Sequence, residues 1–349
     1  MNNHHVIAIG TSAGGIQALR TVVQKLPQDF PGSIHIVQHL SNETPSNLTS
    51  VLAKVSKLPV AFAKDGEPIE SGRIYLAPPD FHFVLELGRI RIIRGPRENR
   101  MRPAIDPLFR TAAVAYRSYA TGVVLTGMLD DGTAGLQAIK ACGGMAIVQD
   151  PNEAKYNSMP KSAIANVKVD RVVALDDIAE VLIERVKQKP AIVEEIPPDL
   201  LLEAPITVKA ITDPTTMQQI GKPVAHACPS CGGPLWQLGN NGKTDKEYED
   251  RDSLLRYRCH VGHAFTSRNL LEEQNKATEK ALWIALRTLE ERGRLLKQMS
   301  DRYARGGSDA LAKIHQERAT EALESSTLVR DLIRNLRTLS EFSPKNDFN

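Results

Sequence analysis

The sequence predicts an α/β fold for residues 1–185, built on a mostly parallel, doubly wound sheet of Rossmann-like type. Three observations lead to this prediction. Short β-branched segments alternate with stretches of helical periodicity, as in a parallel sheet covered by helices. The short segments are almost continuously apolar, which is typical of strands buried on both faces. One helical stretch opens with Asp106-Pro107, an N-cap residue followed by proline at the first helical position.

The predicted elements alternate along most of this region. Buried strands are predicted at 6–10, 33–37, 122–126, 145–148 and 171–175. Helices are predicted at 15–25, 45–55, 106–116 and 132–141. The segment 83–94 is divided by Leu87-Gly88 and predicts an antiparallel hairpin, so we expect a mixed sheet.

Beyond residue 185 the pattern changes. Residues 186–225 contain six prolines among acidic residues and show no sustained periodicity, which predicts a linker. Two stretches rich in Ala, Leu and charged residues, 267–304 and 308–339, flank Gly306-Gly307 and predict an α-helical hairpin within 267–345. Leucines recur on one face of each helix, which favours packing of the two helices on each other. Dimerisation or binding of partner helices through that face stays open.

Bulk properties narrow the class of protein. A chain of 349 residues exceeds the usual size of one hydrophobic core. The 44 basic and 41 acidic residues nearly balance, at a net charge of +3, so nucleic acid is not an expected partner. Because neither a signal peptide nor an apolar run of membrane-spanning length is visible, we expect a cytoplasmic protein without membrane insertion.

A short motif lies between the first predicted strand and the first helix. Gly10-Thr11-Ser12-Ala13-Gly14 fits the G-x-S-x-G turn, which exposes a serine nucleophile at the carboxyl end of a sheet. The first N–H groups of the helix, beginning with that of Ala13, are then candidates to stabilise an oxyanion. The alternative is a glycine-rich phosphate site. The phosphate-binding motif G-x-x-x-x-G-K-[ST] does not fit, since Ile16 follows the glycines, and G-x-G-x-x-G does not fit either. A serine hydrolase with Ser12 as nucleophile is therefore the favoured prediction.

A serine nucleophile needs a base and a group that orients the base. His39 ends the second predicted strand, where parallel sheets place their chemistry, and His82 is the second candidate. Asp130 and Asp131 lie between a predicted strand and a helix. One of them is expected to cap that helix, and residue type alone does not choose between them.

Four segments, in this order, resemble the CheB-type protein-glutamate methylesterases of bacterial chemotaxis over residues 5–185. They are Ile9-Gly-Thr-Ser-Ala-Gly-Gly15, Gln38-His39, Arg102-Pro103 with Asp106 and Leu108-Phe109, and Thr126-Gly-Met-Leu-Asp-Asp-Gly132. The resemblance implies that Ser12 is the nucleophile, His39 the base and Asp131 the orienting acid. It also implies that the backbone of Met128 joins that of Ala13 at the oxyanion site.

The same resemblance implies an activity and a partner. The expected reaction is hydrolysis of γ-glutamyl methyl esters on a methylated chemoreceptor or receptor-like coiled coil, with deamidation of glutamine as a related activity. Catalysis would need no cofactor. The familiar regulated form of the family has an amino-terminal receiver domain, whereas the catalytic strand here begins at Val6, so we expect a stand-alone form with different control. A signalling adaptor that binds receptor or partner helices without catalysis is the alternative.

A cysteine-rich segment follows the predicted linker. Cys228-Pro-Ser-Cys231 and the later Cys259 supply three thiols, and His263 is the favoured fourth ligand over His260 because C-x-x-x-H leaves room to fold back. This donor set predicts a structural zinc ion in a small zinc-ribbon-like module at 226–266. Ordinary reduced cysteines or a redox-active C-x-x-C pair are the alternatives. Cys142 is expected in the core.

Overall fold

The structure is a computed structural model that describes residues 4–40, 46–191, 193, 195–209, 213–239 and 254–341. The chain divides into two compact units, Met1–Leu270 and Leu271–Asn349. No helix in these described ranges is both long enough and apolar enough to span a membrane.

Within its described residues, the first unit begins with nine strands and six helices. The strands are β1 (Val6–Thr11), β2 (Ser33–Gln38), β3 (Val60–Phe62), β4 (Arg73–Leu76), β5 (His82–Glu86), β6 (Arg89–Ile93), β7 (Ala120–Val124), β8 (Met145–Gln149) and β9 (Arg171–Val173). The helices are α1 (Gly15–Gln24), α2 (Leu48–Ala53), α3 (Ile105–Tyr116), α4 (Thr133–Ala141), α5 (Ser158–Asn166) and α6 (Ile178–Lys187). Short 3₁₀ turns lie at Arg117–Tyr119 and Leu175–Asp177.

Seven of these strands form one parallel sheet in the order β3-β4-β2-β1-β7-β8-β9. Side chains of a strand alternate between the two faces of a sheet. In β1, Val6 and Ala8 pack with α3, α4 and α5, whereas Ile7 and Ile9 pack on the opposite face with α1, α2 and α6. The predicted α/β class and its parallel, doubly wound sheet are therefore confirmed.

The hairpin predicted at 83–94 forms, but it does not join the main sheet. β5 and β6 make a separate two-stranded antiparallel sheet. Phe83 and Leu85 of this hairpin pack into the same core as Leu108 of α3, and the Leu85 N–H donates to Thr111 Oγ1 at 3.0 Å. The expectation of a mixed sheet was wrong because the hairpin buries its apolar face on a helix rather than pairing its edge.

The region predicted as a linker, 186–225, contains two helices, α7 (Pro198–Lys209) and α8 (Pro214–Ile220). Their prolines suggest chain breaks in the sequence, yet Pro198 and Pro214 each occupy a first helical position, where no intrahelical N–H bond is lost. Asp213 caps α8, since its Oδ1 accepts from the Thr216 N–H at 2.9 Å.

A four-stranded antiparallel sheet, here termed the ribbon, follows α8. Its strands are β10 (Gly221–Ala227), β11 (Pro234–Leu238), β12 (Arg256–Cys259) and β13 (Ala264–Thr266), in that order across the sheet. The first strand begins five residues before the predicted start of the module. The ribbon belongs to the same compact unit as the parallel sheet.

The predicted helical hairpin consists of α9 (Ser267–Arg305) and α10 (Asp309–Glu341). The connection between the two helices contains the predicted glycine pair. On α9, Leu286 is buried as expected. The leucine face predicted for α10 was wrong, because Leu328 is 68% exposed while the small residues Ala319 and Ala322 are buried. Ile333 is buried as well, so the buried face of α10 consists of alanines and this isoleucine rather than of the predicted leucines.

Candidate active site and metal centre

Ser12 lies directly after β1, on the turn that leads into α1. Its N–H donates to Thr126 O at 3.1 Å, which ties the turn to the segment after β7. The Ser12 carbonyl accepts from the Gly15 N–H at 3.0 Å. Gly14 has a φ of 78°, a left-handed conformation that favours glycine. The turn therefore holds Ser12 at the carboxyl end of the sheet.

His39 lies beside Ser12 because β1 and β2 are parallel neighbours in matching register. Thr11 pairs with Gln38, and the His39 N–H donates to Thr11 O at 3.2 Å. The Gln38 Nε2 group donates to the carbonyls of Ser12 at 2.9 Å and His39 at 3.1 Å. The His39 Nδ1 atom lies 3.0 Å from Ser12 Oγ. Sheet register and one amide thus bring the two predicted side chains together.

Asp131 completes a hydrogen-bonded chain on the other side of the imidazole. Its Oδ2 lies 2.8 Å from His39 Nε2, and both side chains are more than nine-tenths buried. Because an ionised carboxylate only accepts hydrogen bonds, Nε2 carries the proton and Nδ1 presents its lone pair to the Ser12 hydroxyl. Oδ2 also accepts from the Ile105 N–H at 2.8 Å.

The charge of Asp131 is set by opposing effects. Burial favours the neutral acid, but the hydrogen bond and charge of His39, helped by the N–H groups of Ile105 and Asn99, hold the pKa of Asp131 below its ordinary value. Asp106 lies in the same buried region, and burial together with the charge of Asp131 raises its pKa. The structure therefore favours charge on the carboxylate that contacts His39.

The two adjacent aspartates of the motif face different partners. Asp131 contacts His39, whereas Asp130 Oδ1 accepts from the side-chain amide of Asn269 at the start of α9. Burial raises the pKa of Asp130 to about 6. At the start of α4, Asp131 Oδ1 and Asp106 Oδ1 both accept from the Gly132 N–H at 3.0 Å. Asp106 Oδ1 also accepts from the Gly135 N–H at 2.7 Å, so the distant Asp106 shares the capping expected of one of the pair.

The second histidine candidate, His82, has a different environment. It is fully buried, its Nε2–H donates to Pro96 O at 2.7 Å, and its Nδ1 accepts from the Ala104 N–H at 3.4 Å. Burial lowers the pKa of His82. Both ring nitrogens are engaged by the backbone, so this histidine supports the local fold.

The expected oxyanion donors belong to Ala13, which follows Ser12 in the chain, and Met128, which follows Gly127. Among the described residues, no protein acceptor receives a hydrogen bond from the N–H of Ala13 or of Met128. The Met128 side chain is 57% exposed. Gly127 is a further requirement that the sequence did not reveal, since a Cβ there would lie 2.0 Å from Met159 Sδ and 3.0 Å from Ser12 Cβ. The oxyanion role of Ala13 and Met128 remains a prediction.

The predicted metal ligands come together on two turns of the ribbon. One ligand atom from each of Cys228, Cys231, Cys259 and His263 lies within 4.8 Å of the others. The Cys259 Sγ atom is 3.6 Å from His263 Nδ1 and 3.7 Å from Cys231 Sγ. Three thiols and an imidazole at these separations suit a tetrahedral zinc ion.

The alternative ligand His260 and the fourth cysteine lie outside this group. His260 packs edge-on against the ring of Trp236, at 6.5 Å between centroids. Cys142 is buried in the core of the α/β region, as expected, and burial raises its pKa to about 11.

Buried ion pairs link the ribbon to the α/β region, and sequence reasoning did not find them. The Glu98 carboxylate accepts from Arg110 at 2.9 Å and from Arg258 of β12 at 3.0 Å. Glu203 of α7 pairs with Arg258 at 3.1 Å and with Arg256 at 3.1 Å. Burial opposes ionisation of Glu98, but the charges of Arg110 and Arg258 hold its pKa well below the ordinary value. The ribbon is thus joined to the rest of the unit by paired charges.

Known proteins resemble the α/β region. Residues 7–182 match the family model described as CheB methylesterase. A "Putative protein-glutamate methylesterase/protein-glutamine glutaminase" of Leptospira interrogans is 42% identical over 182 residues, which is 52% of this chain and 94% of that protein. A "Protein-glutamate methylesterase/protein-glutamine glutaminase 2" of Anaeromyxobacter dehalogenans is 40% identical over 179 residues, 51% of this chain and 52% of that protein.

A solved structure also resembles the α/β region. The crystal structure of the Thermotoga maritima CheB methylesterase catalytic domain aligns with a TM-score of 0.51 and 36% identity, over 52% of this chain and 98% of that one. This chain spans about half the length of the Anaeromyxobacter relative. The ribbon and the helical hairpin lie beyond residue 182, where the family match ends.

Proposed function

Because the chain belongs to the CheB methylesterase family, we propose that its α/β region hydrolyses methyl esters of glutamate side chains on methylated chemoreceptors or receptor-like coiled coils. The products are protein glutamate and methanol. The observation that carries the proposal is the hydrogen-bonded chain from Ser12 through His39 to Asp131. A serine, an imidazole and a carboxylate in this order are the groups that acyl transfer requires.

The proposed reaction begins at Ser12. Its Oγ attacks the ester carbonyl while His39 Nδ1 takes the hydroxyl proton. The resulting oxyanion is stabilised by the N–H groups of Ala13 and Met128. Collapse of the tetrahedral intermediate breaks the bond to the methoxy oxygen, and the imidazolium of His39 protonates that oxygen, so methanol leaves.

The second half of the reaction repeats the same proton transfers with water. His39 Nδ1 takes a proton from water, the hydroxyl attacks the acyl-serine, and Ser12 leaves with the proton returned to its oxygen. A glutamine side chain would follow the same route with ammonia as the leaving group. Asp131 accepts from Nε2–H throughout and stabilises the imidazolium. No step requires a cofactor.

Methanol release from methylated receptor fragments tests the proposal. We expect release by the wild-type chain and loss to the background rate for Ser12→Ala, because that change removes the oxygen that attacks the ester. Ser325→Ala, on an exposed position of α10, is the matched control and should retain full activity. Equal release by wild type and Ser12→Ala would discard the esterase mechanism, and absence of release by either would favour a non-catalytic adaptor.

We also propose that Cys228, Cys231, Cys259 and His263 bind a structural zinc ion. The closeness of their ligand atoms supports this, and a closed set of four protein ligands leaves no position for catalysis. The ion would stabilise the two turns that carry the thiols.

Metal analysis of purified protein tests the zinc proposal. We expect about one zinc ion per chain in the wild type. Cys259→Ser should lose most of the metal and unfold the ribbon at a lower temperature, whereas Cys142→Ser, which removes a buried thiol outside the group, should keep the metal. A metal-free wild-type chain with a fully folded ribbon would contradict the proposal.

A further inference from the structure

Asn99 lies between the acid end of the Ser12–His39–Asp131 chain and the ribbon. Its side-chain Nδ2 group donates to Asp131 Oδ1 at 2.9 Å and to Asp106 Oδ2 at 2.7 Å. Its side-chain oxygen accepts from the N–H of Thr266 in β13 at 3.2 Å, and its own N–H donates to Ala264 O at 2.8 Å. One buried amide therefore contacts the candidate catalytic acid on one side and a ribbon strand on the other.

The backbone around Asn99 has a conformation that suits this contact. Asn99 and Arg100 have φ values of 48° and 70°, in the left-handed region, where Asn is tolerated better than most residues. Glu98 and Met101 close the turn by mutual backbone hydrogen bonds. The side chain of Glu98 is itself held by Arg258 of the ribbon at 3.0 Å. The turn is thus anchored to the ribbon through Glu98 and through Asn99 itself.

The chemistry of the site explains why an amide occupies this position. Asp131 and Asp106 are both buried, and the charged Asp131 carboxylate only accepts hydrogen bonds, so the group beside it must supply a donor. The Asn99 amide offers two N–H bonds, one to an oxygen of each aspartate, and one acceptor for the ribbon backbone. An isosteric carboxylate would offer only acceptors. Hydrogen bonds to a charged acceptor are stronger than neutral ones, and they fix the direction of the carboxylate.

We propose that Asn99 is a positioning residue, which orients the Asp131 carboxylate toward His39 and is itself held in place by strand β13 of the ribbon. The inference rests on the proposed function only in assigning catalytic roles to Ser12, His39 and Asp131. It deepens that function, because it makes the region beyond the family match part of the support of the active site.

The reactivity of Ser12 toward a fluorophosphonate tests this inference without a receptor substrate. Ser12 Oγ forms a bond to phosphorus, fluoride leaves, and His39 takes the hydroxyl proton, so the rate reports how well the His39–Asp131 pair activates the serine. The rate is measured on the full chain as a function of pH, with the adduct located by mass spectrometry. His39→Ala gives the rate without a base.

Two substitutions separate the functions of the amide. Asn99→Gly keeps the left-handed backbone without strain and removes the side chain. Asn99→Asp keeps the shape and the acceptor for the Thr266 N–H, but it places a third carboxylate beside Asp131. We expect Asn99→Gly to slow the reaction about 10- to 100-fold, the equivalent of one hydrogen bond to a charged group. Asn99→Asp should slow it at least as much and shift the acid limb of the pH profile upward, because nearby negative charge raises the proton affinity of Asp131.

A second pair tests the contribution of the ribbon. Thr266→Ala and Thr266→Pro both remove the hydroxyl that accepts from the Asn269 N–H at 3.2 Å. Only the proline variant also removes the N–H that holds the Asn99 oxygen. Since β13 is an edge strand and this N–H points away from β12, proline breaks no ladder bond. We expect Thr266→Pro to react several-fold more slowly than Thr266→Ala at the same pH.

The measured rates distinguish failure of the proposed function, of the positioning role of Asn99 and of its support by the ribbon. If the wild type reacts no faster than His39→Ala, the proposed function fails, whatever Asn99 does. If the wild-type reaction depends on His39 but both Asn99 variants keep its rate and pH profile, the positioning function of Asn99 is overturned. If the Asn99 variants are slow while Thr266→Pro and Thr266→Ala react alike, the ribbon does not hold Asn99. Thermal unfolding of each variant identifies any that has lost its fold, and Asn99→Asp, which conserves side-chain shape, is then the deciding variant.

Discussion

The two ends of the candidate active site are built in different ways. At the nucleophile end, Ser12 and His39 follow adjacent strands, and the register of β1 and β2 is enough to bring them into contact. At the acid end, Asp131 lies in a loop before α4, and apart from the adjacent Gly132 N–H its partners are distant in sequence. Asn99 precedes it by 32 residues, and Asn99 is in turn held by Thr266, 167 residues further along the chain.

The two ends also differ in which regions of the chain supply their contacts. Everything that positions Ser12 and His39 lies within the residues that match the CheB methylesterase family. The acid end draws on that region and on the ribbon, through Asn99 and through the contact of Asp130 with Asn269. Changes in the ribbon should therefore act on catalysis through Asp131 and leave the contact between β1 and β2 intact.

The largest expected effect comes from the acid itself. Asp131→Asn should lower kcat/KM for methyl ester hydrolysis by about 10⁴-fold, because an amide in that position can select the wrong tautomer of the histidine. Asp130→Asn is the matched control at the adjacent residue, and its loss should stay below about tenfold, since Asp130 contacts Asn269 and not His39. Steady-state kinetics of both variants check the expectation. A larger loss for Asp130→Asn would reverse the assignment of the two aspartates.

A smaller effect on stability should follow from the ion pairs that join the ribbon to the α/β region. Arg258→Met leaves Glu98 and Glu203 buried with one partner fewer, and removing one member of a buried pair costs about 3–5 kcal/mol. Arg287→Met is the control, because that side chain is 70% exposed and its ion pair with Glu291 spans 3.9 Å. Thermal or denaturant unfolding should separate the two variants. Similar stability of both would mean that water screens the ion pairs of Arg258.

The smallest effect concerns pH and the contact of Asp130 with Asn269. Burial raises the pKa of Asp130 to about 6 in the folded chain, above its ordinary value of 3.8. The folded state thus binds this proton more tightly than the unfolded state does. The stabilisation is fully present below about pH 3.8 and is lost as the pH rises through about 6.

Asp130→Asn removes that titration while it keeps an acceptor for Asn269. Relative to the wild type, the variant should therefore gain stability between pH 4 and pH 7, by about 2 kcal/mol. Urea unfolding of the two chains across this range measures the difference. A difference that does not change with pH would show that Asp130 has its ordinary pKa.

The sequence predicted the nucleophile end better than the acid end, for a physical reason. Ser12 and His39 stand at strand ends, and alternation of apolar strands and helices is a local pattern that a single sequence displays. The choice of Asp131 over Asp130 came from resemblance to a family, since both residues are carboxylates before one helix. Their separate environments depend on His39 and Asn269, and no spacing rule connects either residue with the aspartates.

Other features escaped prediction because they depend on contacts between distant segments. The pairing of Glu98 with Arg258 crosses 160 residues and leaves no local signal. β3 and β4 have three and four residues, too few for a clear periodicity. Two of the prolines that suggested a linker, Pro198 and Pro214, begin α7 and α8, where the missing N–H costs nothing, and Pro205 lies inside α7. The grouping of the three cysteines with His263 was predictable from the C-x-x-C spacing followed by a third cysteine and a histidine.

The most direct test asks whether the two ends of the candidate active site act as one catalytic unit. Hydrolysis of a methylated receptor fragment is measured for His39→Ala, Asp131→Asn and the chain with both changes. If Asp131 acts only through the imidazole, the double variant should be about as active as His39→Ala alone, because residues that work as a unit are strongly non-additive. Losses that multiply in the double variant would contradict the account, since they would mean that Asp131 contributes to catalysis independently of His39.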